Sequence, residues 1–101
     1  MKFTAVKIAA TDNVVTVLRD IKKGETVTYA NGDSVCEVVA LENIPVYHKI
    51  ALQDLLIDAE IIKYGESLGK LTANVKKGSW VAHHNLKSQS RNYDEELEAI
   101  K

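Results

Sequence analysis

Apolar residues come in short runs along this chain, each closed by polar or turn-forming residues. Residues 2–9 alternate loosely through Phe3, Val6 and Ile8 and predict a first strand, which Thr11-Asp12-Asn13 breaks. Val14, Val15, Val17, Leu18 and Ile21 then fall at helical spacing, with Asp12 as an N-cap and Gly24 past the end. They predict a short helical turn, although valine itself favours strand. Residues 25–30 and 33–41 read as two strands joined at Asn31-Gly32, a strong hairpin signal. Pro45, the single proline, fixes its own φ and pushes Asn43-Ile44 towards extended backbone. Residues 46–52 then read as extended, 53–60 as a connector, and 61–64 as a short strand stopped by Gly65. Residues 67–75 read as bends and short extended pieces, and Lys77-Gly78 turns into a last strand at 79–82.

One pattern recurs. Asp20-Ile21-Lys22-Lys23-Gly24-Glu25 resembles Asn74-Val75-Lys76-Lys77-Gly78-Ser79, and Asp54-Leu55 through Asp58-Ala59-Glu60-Ile61 is a looser third copy. Each reads as a turn that launches a strand. Many short strands with such turns predict a compact, mostly β domain over residues 1–88, with few and short helices. After Leu86 the character changes. Residues 87–92 are polar, and Tyr93, Leu97 and Ile100 recur at i, i+4 and i+7 behind Asp94, Glu95 and Glu96. Residues 89–101 therefore read as a polar linker and a short amphipathic helix that needs a surface to dock on.

Composition narrows the classes. A chain of 101 residues supports one domain with a modest core, and a formal charge of −1 offers no broad basic field for nucleic acid. No apolar run is long enough to cross a bilayer, and Lys7 and Thr11-Asp12-Asn13 interrupt the start before a signal-type apolar region can form. Cys36 is the only cysteine, so an internal disulfide and a several-cysteine metal site are both excluded. The expectation is a soluble, cytoplasmic domain.

Three stretches carry candidate chemistry: His48-Lys49 between Val46 and Ile50, Lys63-Tyr64-Gly65-Glu66, and Trp80-Val81-Ala82-His83-His84-Asn85. Imidazole and ammonium groups are costly to bury without partners, so the His48-Lys49 pair is either a surface strand or the wall of an anionic site. Lys63 and Glu66 flank a glycine turn and predict an ion pair across it. Trp80 and Val81 read as core or interface, and Cys36 as an inert buried thiol.

Asp12-Asn13-Val14, Gly24-Glu25, Ile44-Pro45, His48-Lys49-Ile50-Ala51-Leu52, Ile62-Lys63-Tyr64-Gly65-Glu66, Leu68-Gly69, Gly78 and His84-Asn85-Leu86-Lys87-Ser88 stand in the order and spacing of one module. That module resembles the SAF-type domain of the altronate and galactarate dehydratases, over nearly all of residues 7–88. The resemblance implies a β-clip fold, found either as the N-terminal part of a long chain or as a separate small subunit, as in sulfolactate sulfo-lyase. It implies a lyase that eliminates water, or sulfite, from an acid hydroxylated next to its carboxylate. A base would remove the α proton, and a divalent metal, iron or manganese, would stabilise the resulting enediolate. On this reading Lys49 serves the substrate carboxylate and His48 carries a proton, Lys63 and Asn85 bind substrate, and His84 binds metal. Three histidines and little room for a pocket make a poor lyase alone. The implied role is a small subunit that completes a site with a large dehydratase subunit acting on a sugar acid.

Two positions depart from the family pattern. Tyr47 stands where a glycine usually precedes the His-Lys pair, and Ala82 replaces the first histidine of His-x-His-Asn. In an extended strand His83 would face away from 82 and 84 and could not substitute for it. His48 and Lys49 would also face opposite sides, so that one of them reaches a substrate directly. Two other readings stay open: a non-catalytic SAF-type module that holds a sugar acid or regulates a partner, and a homo-oligomer built through exposed strand edges.

Overall fold

Valine's branched Cβ packs better on a pleated sheet than against a helical turn. In the computed structural model, which describes residues 3–88, the valine-rich stretch after Asn13 is accordingly a strand, and no helix occurs among the described residues. The strands are β1 (Ala5–Val6), β2 (Val14–Val17), β3 (Thr26–Asn31), β4 (Ser34–Val39), β5 (Lys49–Ala51), β6 (Glu60–Lys63), β7 (Glu66–Leu71), β8 (Trp80–Val81) and β9 (Leu86–Ser88). The mostly β expectation holds. The expected C-terminal helix and its linker, residues 89–101, lie outside the described residues.

A four-stranded antiparallel sheet in the order β1-β2-β5-β8 divides the molecule. Ala5 pairs with Val17, Val15 with Ile50 and Ile50 with Trp80, so these side chains share one face. They pack with Val27, Tyr29 and Val38 of the hairpin β3–β4, and with Ala40 just after it, into a first core. The alternate residues Val14, Ala51 and Val81 face the other way and pack with Ile61 and Leu71 of the sheet β6-β7-β9 into a second core. Ile50, Ile61, Val17 and Val81 are fully buried, each contributing on the order of 1.5–3 kcal/mol relative to exposure.

The recurring turn pattern has four copies. Glu25, His48, Ala59 and Ser79 donate N–H to the carbonyls of Lys22, Pro45, Leu56 and Lys76, at 2.9, 3.1, 3.0 and 2.9 Å. The third residue of each turn has positive φ, at Gly24 (91°), Tyr47 (66°), Asp58 (72°) and Gly78 (94°), as a type II turn requires. The turns couple in pairs. Ile21 and Ile44 exchange two backbone hydrogen bonds of 2.8 Å, as do Leu55 and Val75. Within each pair the acid or amide before one bridge caps the tip of the other turn. Asp20 accepts from Val46 and Asn43 from Lys23, while Asp54 accepts from Lys77 and Asn74 from Ile57.

Several expectations are corrected. Residues 46–52 are not extended throughout, because Val46 and Tyr47 form the tip of the second turn and only Lys49–Ala51 pair. The β3–β4 loop is Gly32-Asp33, since Asn31 already pairs with Ser34. The first strand shrinks to Ala5–Val6, because Asp12 caps the bend after it instead of starting a helix: its carboxylate accepts from Ile8 and Ala9 at 3.2 and 3.0 Å. Of residues 67–75, expected as bends and short extended pieces, 67–71 belong to regular strand β7, whose register with β6 shifts between Ile61 and Ile62.

Candidate functional site

The turn ending at His48 and the pairing of Ile50 with Trp80 bring the first and third chemical stretches together. The Trp80 indole Nε1–H donates to His48 Nδ1 at 3.0 Å, and the two rings meet edge-on with centroids 5.5 Å apart. Indole can only donate, so Nδ1 is the acceptor and the proton of a neutral His48 sits on Nε2. Held this way, His48 offers an N–H, not a lone pair, to a ligand. The indole also contacts His84 at 4.6 Å between centroids, and the His83 ring lies 6.3 Å from that of His84. The Glu42 carboxylate accepts from the Trp80 backbone N–H at 3.0 Å and anchors the main chain that carries the indole. A shallow cleft of about 410 Å³, lined by Ile21, Ile44, Pro45 and Trp80, opens beside this cluster.

Residues after Val81 do not run on as a strand. Asn85 N–H donates to the Ala82 carbonyl at 3.0 Å, which makes residues 82–85 a turn and removes the simple alternation expected for Ala82, His83 and His84. The Asn85 side chain, expected on substrate, is spent inside that turn. Its Oδ1 accepts from Ala82 N at 3.0 Å and its Nδ2 donates to the Trp80 carbonyl at 2.8 Å. Asn85 thereby positions the exposed imidazoles of His83 and His84. Ala82 is buried, so its position presents no polar group.

Lys49 projects from β5 on the face opposite the one shared by Ile50 and Trp80, whose indole holds His48. It pairs with Thr16 on one side and Val81 on the other, in the rows that cover the second core. Burial and the nearby Lys63 push its ammonium below the ordinary lysine value. Lys63 itself stands over the Tyr64 ring, 4.7 Å from the centroid, and does not pair with Glu66 as expected. The hairpin holds Lys63 and Glu66 in register, but the ammonium finds the ring. Beside Lys49, the Thr16 hydroxyl is buried without a hydrogen-bond partner among the described residues, at a cost of about 1–3 kcal/mol.

Two positioning residues carried too little signal in the sequence. Buried Asp12 joins the bend after β1 to the Tyr64-Gly65 turn, its second oxygen accepting from Gly65 N at 2.9 Å. Burial pushes its carboxyl up, but N–H groups of Ala9, Gly65, Tyr64 and Ile8 outweigh this and hold it below its ordinary value. Asn13 clamps β6 to the start of β2, donating from Nδ2 to the Glu60 carbonyl and accepting at Oδ1 from Ile62 N, both at 2.8 Å. The clue was the pair of short side chains, Asp and Asn, at a strand break, where they bond to backbone.

The donor set for a metal is incomplete. No cluster of three His, Cys, Asp or Glu side chains occurs among the described residues, and one nitrogen of His48 is taken by the indole. These residues do not fit a self-contained metal centre. Nor is any helix among them long and apolar enough to cross a membrane.

Comparison with known proteins gives one consistent match. The family model described as the altronate/galactarate dehydratase SAF domain matches residues 3–89. The chain is 40% identical over 83 residues to an altronate dehydratase of Bacillus subtilis, covering 82% of this chain but only 16% of that protein. It is 29% identical over 77 residues to the (2R)-sulfolactate sulfo-lyase subunit alpha of Chromohalobacter salexigens, covering 74% of this chain and 82% of the relative. Against the subunit of the same name from Paracoccus pantotrophus it is 36% identical over 63 residues, covering 62% and 91%.

Proposed function

Because the chain belongs to the altronate/galactarate dehydratase SAF-domain family, we propose that it works as the small subunit of a two-component hydro-lyase acting on a sugar acid. Its active site would be completed at the interface with a large dehydratase subunit. The match to two sulfo-lyase alpha subunits over 82% and 91% of their lengths supports a separate-subunit role. The observation that carries the reading is the Trp80–His48 hydrogen bond, which sets a neutral His48 with its proton on Nε2 against the indole that lines the cleft.

In this reading the His48 Nε2–H donates to a substrate oxygen that gains negative charge during elimination. The base that takes the α proton comes from the large subunit, since His48 has no free lone pair while Trp80 holds it. His84 is the imidazole this chain would offer to a shared divalent metal, iron or manganese, whose remaining ligands would be the partner's. Asn85 acts behind it by holding the turn. Purifying the chain from its native lysate tests the pairing. Co-purification of a large dehydratase-type chain with elimination activity on altronate, galactarate or sulfolactate supports it. A chain that elutes alone and does not bind the purified large subunit overturns it.

Buried Ala82 favours a second reading, a non-catalytic SAF-type module that holds a sugar acid. That reading expects acid binding without any change in the large subunit's turnover.

A further inference from the structure

The N–H and C=O groups along a strand edge pair with whatever strand reaches them, unless something covers them. On β3 the Thr4 backbone N–H and hydroxyl oxygen cover the Thr28 carbonyl and N–H, on β6 Asn13 covers Ile62, and on β8 Glu42 covers the Trp80 N–H. β4 is different. Ala40 N–H donates to the Glu25 carbonyl before β3, so by alternation the N–H and C=O groups of Val35 and Glu37 point away from β3. They meet no partner among the described residues. Gly78 closes this edge further along, where Leu41 N–H donates to its carbonyl at 2.9 Å and a Cβ on it would lie 2.1 Å from the Val39 carbonyl oxygen. The opening therefore runs from Val35 to Glu37, between the Gly32-Asp33 loop and Gly78, with the exposed side chains of Val35 and Val39 on its outer face. We propose that it pairs with the same stretch of a second copy of this chain, antiparallel about a two-fold axis at Cys36, to give one continuous sheet in the order β3-β4-β4-β3.

The edge is complementary to itself in one register. An axis at Glu37 would set like charges directly opposite and draw in Val39, which Gly78 covers. An axis at Val35 would set Glu37 opposite Asp33, again two acids. The axis at Cys36 sets Val35 of each copy opposite Glu37 of the other. Each such pair exchanges both of its hydrogen bonds, so every open group finds a partner. The same register brings Asp33 opposite Val39 of the other copy, which shares a groove with Lys77, so that an acid meets a lysine on both sides of the axis. The chain's own acidic run, Asp94, Glu95, Glu96 and Glu98, fits worse, because Asp33 and Glu37 already flank the opening. The pairing needs this chain alone and stands apart from the lyase reading.

The test is amide hydrogen exchange by NMR on the full chain, by itself, at micromolar and at millimolar concentration, with sedimentation giving the mass at each. We expect a dimer at the higher concentration, with exchange of the Val35 and Glu37 amides slowed there about tenfold or more. The Cys36 and Val38 amides, which face β3, should be protected at both concentrations. Val35→Lys places a charge on the exposed edge without touching the bonds to β3. It should weaken the dimer about tenfold and leave the rest of the amide spectrum as in the parent. Opposite residues at the axis have Cα atoms about 4.5 Å apart, within reach of a disulfide. Diamide, which takes two hydrogens from a pair of thiols, should therefore link Cys36 to its counterpart in the second copy, and link the Val35→Lys chain far less. The proposal is overturned if the chain sediments as a monomer at millimolar concentration, or if Val35→Lys dimerises as the parent does. It is equally overturned if Val35 and Glu37 are protected at every concentration, which would make the chain's own terminal segment the cover of this edge. Protection that comes only with added large subunit would make that subunit the occupant and overturn it too.

Discussion

The Trp80 indole N–H donates to His48 Nδ1 across 3.0 Å, joining two residues 32 positions apart through the pairing of β5 with β8. The bond chooses between the two tautomers of neutral His48 and so decides whether the ring's outward nitrogen donates or accepts. Trp80→Phe keeps a ring but removes the donor. Nitrogen-15 shifts of His48 should report the Nε2–H tautomer in the parent and a mixture in the variant. Activity with the large subunit should fall about tenfold through kcat. An unchanged tautomer would separate the indole from His48.

The four turns differ in what a side chain at the third position would meet. A Cβ on Gly78 would lie 2.1 Å from the Val39 carbonyl oxygen, whereas one on Gly24 meets nothing within 4 Å. Both have φ in the left-handed region. Gly24→Ala should therefore cost about 1 kcal/mol, from backbone strain alone. Gly78→Ala should cost more than about 3 kcal/mol, because backbone must move. Urea denaturation midpoints compare them directly, and equal losses would mean that the contact between the Gly78 turn and β4 is slack.

These turns also mark what the sequence could reveal. Glycine announced the turns at Gly24 and Gly78, and the Asp-Leu of the third copy was visible beside them. The fourth copy, Asn43-Ile44-Pro45-Val46-Tyr47-His48, was hidden because Tyr47 occupies the left-handed position that glycine usually flags. Asn43-Ile44 matches Asp20-Ile21 and Asn74-Val75, so the capping residue and the buried apolar residue after it were the surviving signal. The hairpin and the mostly β class followed from local turn chemistry and were legible. Val14–Val17 was misread because valines at 14, 15 and 17 satisfy a helical spacing while their branching favours a strand. Only pairing with β1 and β5 decides between them. For the site, the three stretches were visible, but their division between two faces of one sheet depends on register. The same holds for the roles of Asp12 and Asn85, whose partners are backbone groups that composition does not mark.

Asp12 should govern acid sensitivity. Its carboxyl is held below the ordinary value of 3.8 in the fold, so the stability it contributes is present above that value and is lost as pH falls through the folded pKa. Asp12→Asn should cost about 2 kcal/mol near neutral pH and flatten the stability profile below pH 3.8. Thermal melts across the acid range measure both. A variant with the parent's acid slope would shift the role to another carboxylate.

Lys49, unlike Asp12, should destabilise the fold in its charged form, although both make stability rise with pH. A lysine pushed below its ordinary 10.5 destabilises the fold while charged, and the penalty is relieved as pH rises through the folded pKa. Lys49→Met should therefore raise the melting temperature at neutral pH, and the gain should vanish above pH 10.5. A loss of stability at neutral pH would mean that the ammonium is already paired.

The most direct measurement is turnover of the purified large subunit with and without this chain, on altronate, galactarate and sulfolactate. We expect elimination from one of these acids to depend on the added chain, to saturate at a fixed ratio of the two proteins, and to drop about a hundredfold with His48→Ala. A large subunit that turns over equally well alone, or a His48→Ala chain that restores full activity, would contradict a role in completing the active site.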